Sequence, residues 1–455
     1  MGSSVGPFDG RRARKSRCEA CTKRKIKCCG GAPCDYCKRI KQPCVFSTRR
    51  PVALVFVEQD LSSKAQPIMD LDRNLAYFFN SFLPMNILTK NNLSWQSELQ
   101  LCLHQSPALS SAASAIAALH RCQQEKLLFN TTEARKNQVQ ALNSYSQAVK
   151  YIRVAITSNS FTGPDLLWST FFLALFELMR DSSGTDWLSH FLNGTCAILR
   201  LQHPAHLLLT NTDANHRRNF FLTTRIFEIA RALIYSQPTF LSEPEWTNAL
   251  SQWWSREGGQ RLWHPKEALF DMLPHFCDLS LRTLRFAQTE ETYLQSSLHR
   301  AEAQRLADEG IELQQRLEQW WICAEAWGKN TSEVDADLVV AKTYYHAMRI
   351  YLSGSYDYHR HWNQPDSPLA PILNRSSIEM HMNEILRLGQ ELLNHGLAGL
   401  LLFIPLRIAG ARVSHKKDQD LILQLLKTIS QRGYAVANAI HIDLVELWAR
   451  KMCTT

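Results

Sequence analysis

The sequence lacks the short motifs that mark the common nucleotide-dependent and hydrolytic enzymes. It has no G-x-G-x-x-G fingerprint, no G-x4-G-K-[ST] phosphate loop, no G-x-S-x-G nucleophile turn and no H-E-x-x-H zinc helix. It also lacks a long apolar run, because the longest, Gly396 to Ile404, is too short to cross a bilayer and leads into Pro405. We therefore expect neither an enzyme nor a membrane protein.

The N-terminal region lacks two further features. Its first 17 residues have no apolar segment of the kind found in signal peptides, and residues 1–50 contain no histidine. The first absence favours an intracellular protein whose thiols are reduced. The second excludes the two-Cys, two-His zinc finger and the usual mixed Cys/His RING arrangement.

Positive charge is concentrated in the same region. Residues 1–50 carry 14 Lys or Arg against three acidic residues, whereas residues 51–455 carry 37 against 39. This segregation indicates a polyanionic partner for the N-terminus, and double-stranded DNA is favoured over a membrane because no amphipathic helical pattern accompanies the charge. The run from Arg11 to Arg17 is also typical of a nuclear-import signal. We expect a basic flexible arm at residues 1–17 and a location in the nucleus.

Cysteine shows the same segregation, with seven of the 13 cysteines lying between residues 18 and 44. Six of them repeat one C-x2-C-x6-C unit: Cys18, Cys21, Cys28, Cys34, Cys37 and Cys44. Cys29 falls outside the pattern, and we interpret it as a bystander. Reduced thiolates at fixed spacing predict a zinc site.

The number of sulfurs predicts how the metal is held. Zinc prefers four ligands, and each half of the repeat supplies three. Two zinc ions therefore need eight ligand positions from six sulfurs, so two cysteines must bridge both ions. Cys18 and Cys34, the first cysteine of each half, are the natural bridging pair.

The segment from Arg17 to Cys44 resembles the DNA-binding domain of the fungal Zn(2)-Cys(6) transcription factors, because its six cysteine spacings fit that family. The resemblance implies that a short helix of the first half enters the major groove. Lys25 matches the lysine that reads a CGG-like triplet in this family. The residues expected to contact DNA are Lys23, Arg24, Lys25 and Lys27 in the first half and Lys38, Arg39 and Lys41 in the second.

From Leu71 onward the apolar residues fall at helical spacing, and Pro84 ends the first segment. We predict further helices at roughly 108–128, 133–157, 165–180, 185–202, 218–236, 265–286, 289–325, 334–353, 376–394 and 418–449. No comparable series of alternating strands is present. The predicted fold class is a small binuclear zinc cluster module (18–44) and a large all-α regulatory domain (71–455), joined by a linker (45–70).

Segments of this helical region resemble the regulatory domain of the same transcription factors, among them residues 166–201 and 433–451. The tryptophan pairs Trp253-Trp254 and Trp320-Trp321 are expected to lie in its core rather than to line a small-molecule pocket. Residues 45–70 offer no heptad pattern, so we expect any homodimer to form through the helical domain.

The charge and the cysteine repeat predict a DNA-binding protein that holds two zinc ions per chain. The family resemblance implies that it is a transcriptional regulator of the RNA polymerase II type. Two alternatives stay open. The cluster could serve only protein contacts, as in an adaptor, or the helical region could be an α-helical enzyme fused to a zinc module.

Overall fold

The structure of the chain is a computed structural model. The described residues are 18, 20–21, 33–44, 68–86, 93–129, 131–157, 163–183, 191–200, 202–209, 214–288, 297–329 and 335–454. The chain divides into two compact units, Met1–Gln66 and Pro67–Thr455. The described residues form helices and no β-strand, which confirms the predicted all-α fold.

The first unit contains the short helix α1 (Asp35–Arg39) and a helical turn at residues 20–21. The second unit contains α2 (Ile68–Tyr77), α3 (Leu93–Gln105), α4 (Pro107–Leu127), α5 (Thr131–Thr157), α6 (Pro164–Arg180), α7 (Ala197–Arg200), α8 (Pro204–Leu208), α9 (Ala214–Tyr235), α10 (Pro244–Ser255), α11 (Glu257–Leu262), α12 (Pro265–Ala287), α13 (Ser297–Lys329), α14 (Ala336–Gly354), α15 (Arg375–Asn394), α16 (Phe403–Arg412), α17 (Lys416–Gln431) and α18 (Ala437–Thr454). Among the helices of the described ranges, none combines the length and apolarity that a bilayer crossing requires.

Local sequence explains where many of these helices begin. Proline stands in the first turn of α4, α6, α8, α10 and α12, where its missing N–H costs no helical hydrogen bond. Before α4, the hydroxyl of Ser106 accepts a hydrogen bond from the N–H of Leu109 at 3.4 Å. Before α14, the carboxylate of Asp335 accepts one from the N–H of Leu338 at 3.2 Å. Both side chains satisfy backbone donors that the helix itself leaves free.

The predicted single helix at 418–449 is wrong, because the structure forms α17 and α18 there. Gly433 lies between them with φ of 112°, a left-handed conformation that a β-carbon disfavours. A β-carbon at this position would also lie 2.8 Å from Cδ2 of His120. The chain therefore reverses at Gly433 where periodicity alone predicted a continuous helix.

Other boundaries also differ from the predictions. Helix α2 begins at Ile68, inside the region predicted to be linker, and residues 45–67 lie outside the described residues. The predicted helix at 185–202 is described only from residue 191, as a π-helical turn (Phe191–Cys196) that leads into α7. Helices α3, α8, α10, α11 and α16 were not predicted. Each has 13 residues or fewer, so its periodicity spans few turns.

The core of the second unit is built around α4 and α6. Every residue of α4 from Ala108 to Cys122 is buried, and its many alanines and serines let α5 and α6 pack closely against it. Helix α6 supplies aromatic rings. Phe172 lies 5.2 Å from Phe78, and Trp168 lies 5.2 Å from Phe220, measured between ring centroids. Such aromatic contacts add to the free energy of apolar burial.

The tryptophan pairs lie mainly in the core, as predicted. Trp253 and Trp320 are buried, whereas Trp254 and Trp321 are half-buried. Trp254 also borders a cavity of about 360 Å³, so the structure exposes one member of that pair to open space.

A network of buried charges joins α9, α12 and α14. Arg225 of α9 donates to Glu267 of α12 at 2.7 Å and also contacts Asp271. Lys266 of α12 donates to Asp337 of α14 at 2.6 Å. Burial opposes ionisation of Glu267, but Lys266 and Arg225 outweigh it and lower the pKa of Glu267 below its usual value. The network therefore holds three helices together through ionised groups.

Candidate metal centre

Four cysteine side chains meet in the first unit. The sulfur atoms of Cys18, Cys21, Cys34 and Cys37 lie within 4.8 Å of one another. All four side chains are fully buried. No other group of three or more potential metal ligands lies this close together within the described part of the chain.

Short backbone elements bring these sulfurs together. Cys21 lies in the helical turn that follows Cys18, and Cys34 is the N-cap of α1. The sulfur of Cys34 accepts a hydrogen bond from the N–H of Cys37 at 3.5 Å. The C-x2-C spacing thus places both of its sulfurs at the start of the same helical turn.

Three sulfur-to-sulfur distances show that these cysteines are spaced as ligands. The sulfur of Cys18 lies 3.8 Å from that of Cys34 and 3.7 Å from that of Cys37, and the sulfurs of Cys21 and Cys34 are 3.7 Å apart. A tetrahedron with Zn–S bonds of ~2.3 Å has edges of ~3.8 Å. A disulfide would need a separation of ~2.0 Å. The donor set therefore fits zinc, and none of the four cysteines forms a disulfide.

The backbone favours the thiolate form at two of these positions. A hydrogen bond from the backbone of Cys21 lowers the pKa of the Cys18 thiol, and one from the backbone of Cys37 lowers the pKa of the Cys34 thiol. In contrast, burial raises the pKa of Cys37 to about 12. Zinc binds thiolates, so a metal must displace the proton of Cys37, whereas Cys18 and Cys34 ionise more readily.

A fifth predicted ligand lies beside this group. Cys44 is half-buried, and its sulfur accepts a hydrogen bond from the N–H of Cys34 at 3.2 Å. Lys41, with φ of 49°, adopts a left-handed conformation just after α1. This conformation ends the helix and turns the chain back toward the cysteines. Cys28, the sixth predicted ligand, lies outside the described residues.

The residues predicted to contact DNA are placed only in part. Lys38 and Arg39 lie in the last turn of α1, Lys41 follows it, and all three side chains are exposed. The other predicted DNA contacts lie outside the described residues, and they are Lys23, Arg24, Lys25 and Lys27. The predicted basic arm at residues 1–17 also lies outside them. The second half of the repeat thus presents three cations on the surface beside the buried sulfurs.

Sequence reasoning missed Tyr36. Its ring is half-buried and packs against the four cysteines, and the guanidinium of Arg39 lies 5.9 Å from the ring centroid. The sequence feature that could have indicated Tyr36 is its position between Cys34 and Cys37, the two cysteines of a C-x2-C unit. Tyr36 therefore contributes to the packing around the four cysteines.

The helical unit matches a known protein family. A model described as the fungal specific transcription factor domain matches residues 73–454. No curated protein and no solved structure matches the chain. The family match covers α3 to α18 and the second half of α2, and it begins after the cysteine group. Because it spans most of the chain, the protein belongs to the family defined by the fungal specific transcription factor domain.

Proposed function

We propose that the protein is a nuclear transcription regulator that binds double-stranded DNA sequence-specifically through a cluster of two zinc ions and six cysteines. The observation that carries this proposal is the sulfur geometry of Cys18, Cys21, Cys34 and Cys37, spaced as zinc ligands in the most basic region of the chain. Membership of the transcription factor family supports a regulatory role for the helical unit. We propose no catalytic reaction for the helical unit.

Contacts between the two halves of the repeat support the two-ion cluster. Cys18, from the first half, lies at ligand spacing from Cys37 of the second half, and Cys34 lies at ligand spacing from Cys21 of the first. Each of these two sulfurs therefore lies within ligand spacing of a sulfur from the other half. A bridging cysteine needs this position, because it must contact a metal in each half. Cys18 and Cys34 would bridge, with Cys21 and Cys28 completing one site and Cys37 and Cys44 the other.

The DNA-binding role follows from charge and from the resemblance of the cysteine segment. Lysine and arginine donate to O6 and N7 of guanine in the major groove, or to phosphates. We assign base reading of a CGG-like triplet to Lys25 in the first half. The exposed Lys38, Arg39 and Lys41 of the second half would contact the phosphate backbone. If the protein forms a homodimer, we propose that the helical unit provides the interface.

We expect Lys25→Ala to weaken binding to the preferred duplex by about 1–3 kcal/mol and to reduce discrimination against a scrambled duplex, because a base contact is lost. Lys41→Ala should weaken binding to both duplexes about equally and make the salt dependence shallower, because a phosphate contact is lost. Titration of each full-length variant against both duplexes over a salt series measures these effects.

Lys416→Ala is the matched control for these variants, since it removes an exposed lysine of the helical unit. It should leave both affinities unchanged. If Lys41→Ala abolishes discrimination while Lys25→Ala weakens both duplexes equally, the roles of the two halves are reversed. A protein that retains its zinc but binds no duplex in a gel-shift assay would favour the adaptor alternative.

A further inference from the structure

A cavity of about 290 Å³ lies where four helices of the second unit meet. Its walls come from the end of α9, the last third of α12, the end of α14 and one face of α16. This volume is close to the lower limit for cavities that hold small organic ligands, ~300 Å³. We call it the four-helix cavity.

The walls of the four-helix cavity are largely aliphatic. The main apolar residues are Leu233, Ile234, Leu284, Ile350, Ile404 and Ile408. The hydroxyl of Tyr351 donates to the hydroxyl of Ser280 at 2.9 Å, so these two polar groups satisfy each other. A chain of methylene groups could therefore contact the apolar wall without breaking the hydrogen bond between Tyr351 and Ser280.

The charge of the cavity wall is positive. Among its lining residues the permanently charged ones are Arg407 and Arg412, and none is acidic. His359 also lines the cavity, and burial lowers its pKa, which favours the neutral imidazole. An aliphatic space bordered by two guanidinium groups fits an apolar molecule with an anionic end.

The two arginines differ in how firmly they are held. Arg412 contacts Asp357, donates to the hydroxyl of Tyr358 at 2.7 Å and lies over the Tyr358 ring. Its side chain is only 13% exposed, so Arg412 is fixed in place. Arg407 donates to Asp443 of α18 at 2.7 Å, and the two side chains are 37% and 55% exposed. An ion pair this exposed is weak and can be exchanged for another anion.

Arg407 also lies at a junction. A second cavity of about 160 Å³ shares Ile234, Ile404 and Arg407 with the four-helix cavity, and Asp443 lines this second cavity. The guanidinium of Arg407 therefore stands between its present carboxylate partner and the aliphatic space. A ligand carboxylate in the four-helix cavity would compete with Asp443 for the same guanidinium.

We propose that the four-helix cavity binds an unbranched aliphatic carboxylate, with the chain among the aliphatic side chains and the carboxylate on Arg407. Binding exchanges the Arg407–Asp443 ion pair for an ion pair between Arg407 and the ligand. This site lies within the helical unit and does not depend on the metal or DNA-binding roles proposed for the cysteine region.

The test measures binding of octanoate and decanoate to the full-length protein by calorimetry, with 1-octanol as a chain-matched probe that lacks the charge. Octanoate should bind saturably and several-fold more tightly than 1-octanol, up to about five-fold, because the alcohol forms no ion pair and an ion pair at a partly exposed arginine contributes about 0–1 kcal/mol. Arg407→Gln should reduce octanoate binding to the level of the alcohol. Asp443→Asn should strengthen it, because the competing carboxylate is removed.

Two further variants test whether octanoate binds in the four-helix cavity. Ala411→Leu places a larger side chain in the cavity wall and should weaken both octanoate and 1-octanol. Arg387→Gln removes an exposed arginine that pairs with Glu384 and Glu391 on α15, outside the cavity, and should change neither affinity. The proposal is overturned if octanoate fails to bind, if octanoate and the alcohol bind equally, or if Arg407→Gln and Ala411→Leu bind octanoate as the unaltered protein does.

Discussion

Removal of zinc with excess chelator is expected to abolish DNA binding by the full-length protein while its helical unit stays folded. The side chains buried in the described part of the first unit are those of Cys18, Cys21, Cys34 and Cys37. Without a metal, four thiols cannot supply an apolar core. Binding of structural zinc contributes apparent free energies of about 10–16 kcal/mol in small zinc modules, so metal loss should unfold this region.

Three readouts separate the two units in this experiment. Metal analysis should give two zinc ions per chain before chelation. A gel shift should show that DNA binding is lost with the metal and restored when zinc is returned. Circular dichroism should retain the helical signal, because the second unit has its own core. One zinc ion per chain, or DNA binding that persists after complete removal of zinc, would contradict the bridged cluster.

Arg225→Met is expected to destabilise the helical unit strongly. Arg225 is 2% exposed and neutralises Glu267 and Asp271. Its loss leaves Asp271 without its ion pair and Glu267 dependent on Lys266 alone. Removing one partner of a buried ion pair costs about 3–5 kcal/mol, because the remaining charge stays desolvated. Urea unfolding of the full-length protein, followed by circular dichroism, measures this loss.

Arg387→Met is the matched control for this substitution. Arg387 also donates to two carboxylates, those of Glu384 and Glu391, but its side chain is 58% exposed. Exposed ion pairs contribute about 0–1 kcal/mol, so this variant should unfold at nearly the same urea concentration as the unaltered protein. Equal losses in the two variants would show that burial of the Arg225 network does not determine its contribution.

The helices that could be predicted from the sequence are the long ones with strong periodicity. The span predicted at 108–128 matches α4 within one residue at each end, and the span at 376–394 matches the end of α15. The reversal at Gly433 could not be predicted in the same way, because glycine is tolerated inside helical patterns. A β-carbon at Gly433 would also clash with His120, which is distant in sequence, so no local pattern indicates that glycine is needed here.

The candidate metal centre was more accessible to sequence reasoning than the interior of the helical unit. Cysteine spacing fixes which sulfurs can reach one metal, and four of the six predicted ligands meet in the structure. Tyr36 was missed because its role depends on packing against those sulfurs. The Arg225 network and the four-helix cavity depend on contacts between helices far apart in sequence, so no local pattern indicates them.

The measurement that tests the central claim most directly is selection of bound duplexes from a random pool by the zinc-loaded full-length protein, followed by sequencing. The account predicts enrichment of a CGG-like triplet, and loss of that enrichment when zinc is removed or Lys25 is replaced by alanine. A zinc-loaded protein that enriches no sequence, or one whose enriched sequence is still bound after complete removal of zinc, would contradict it.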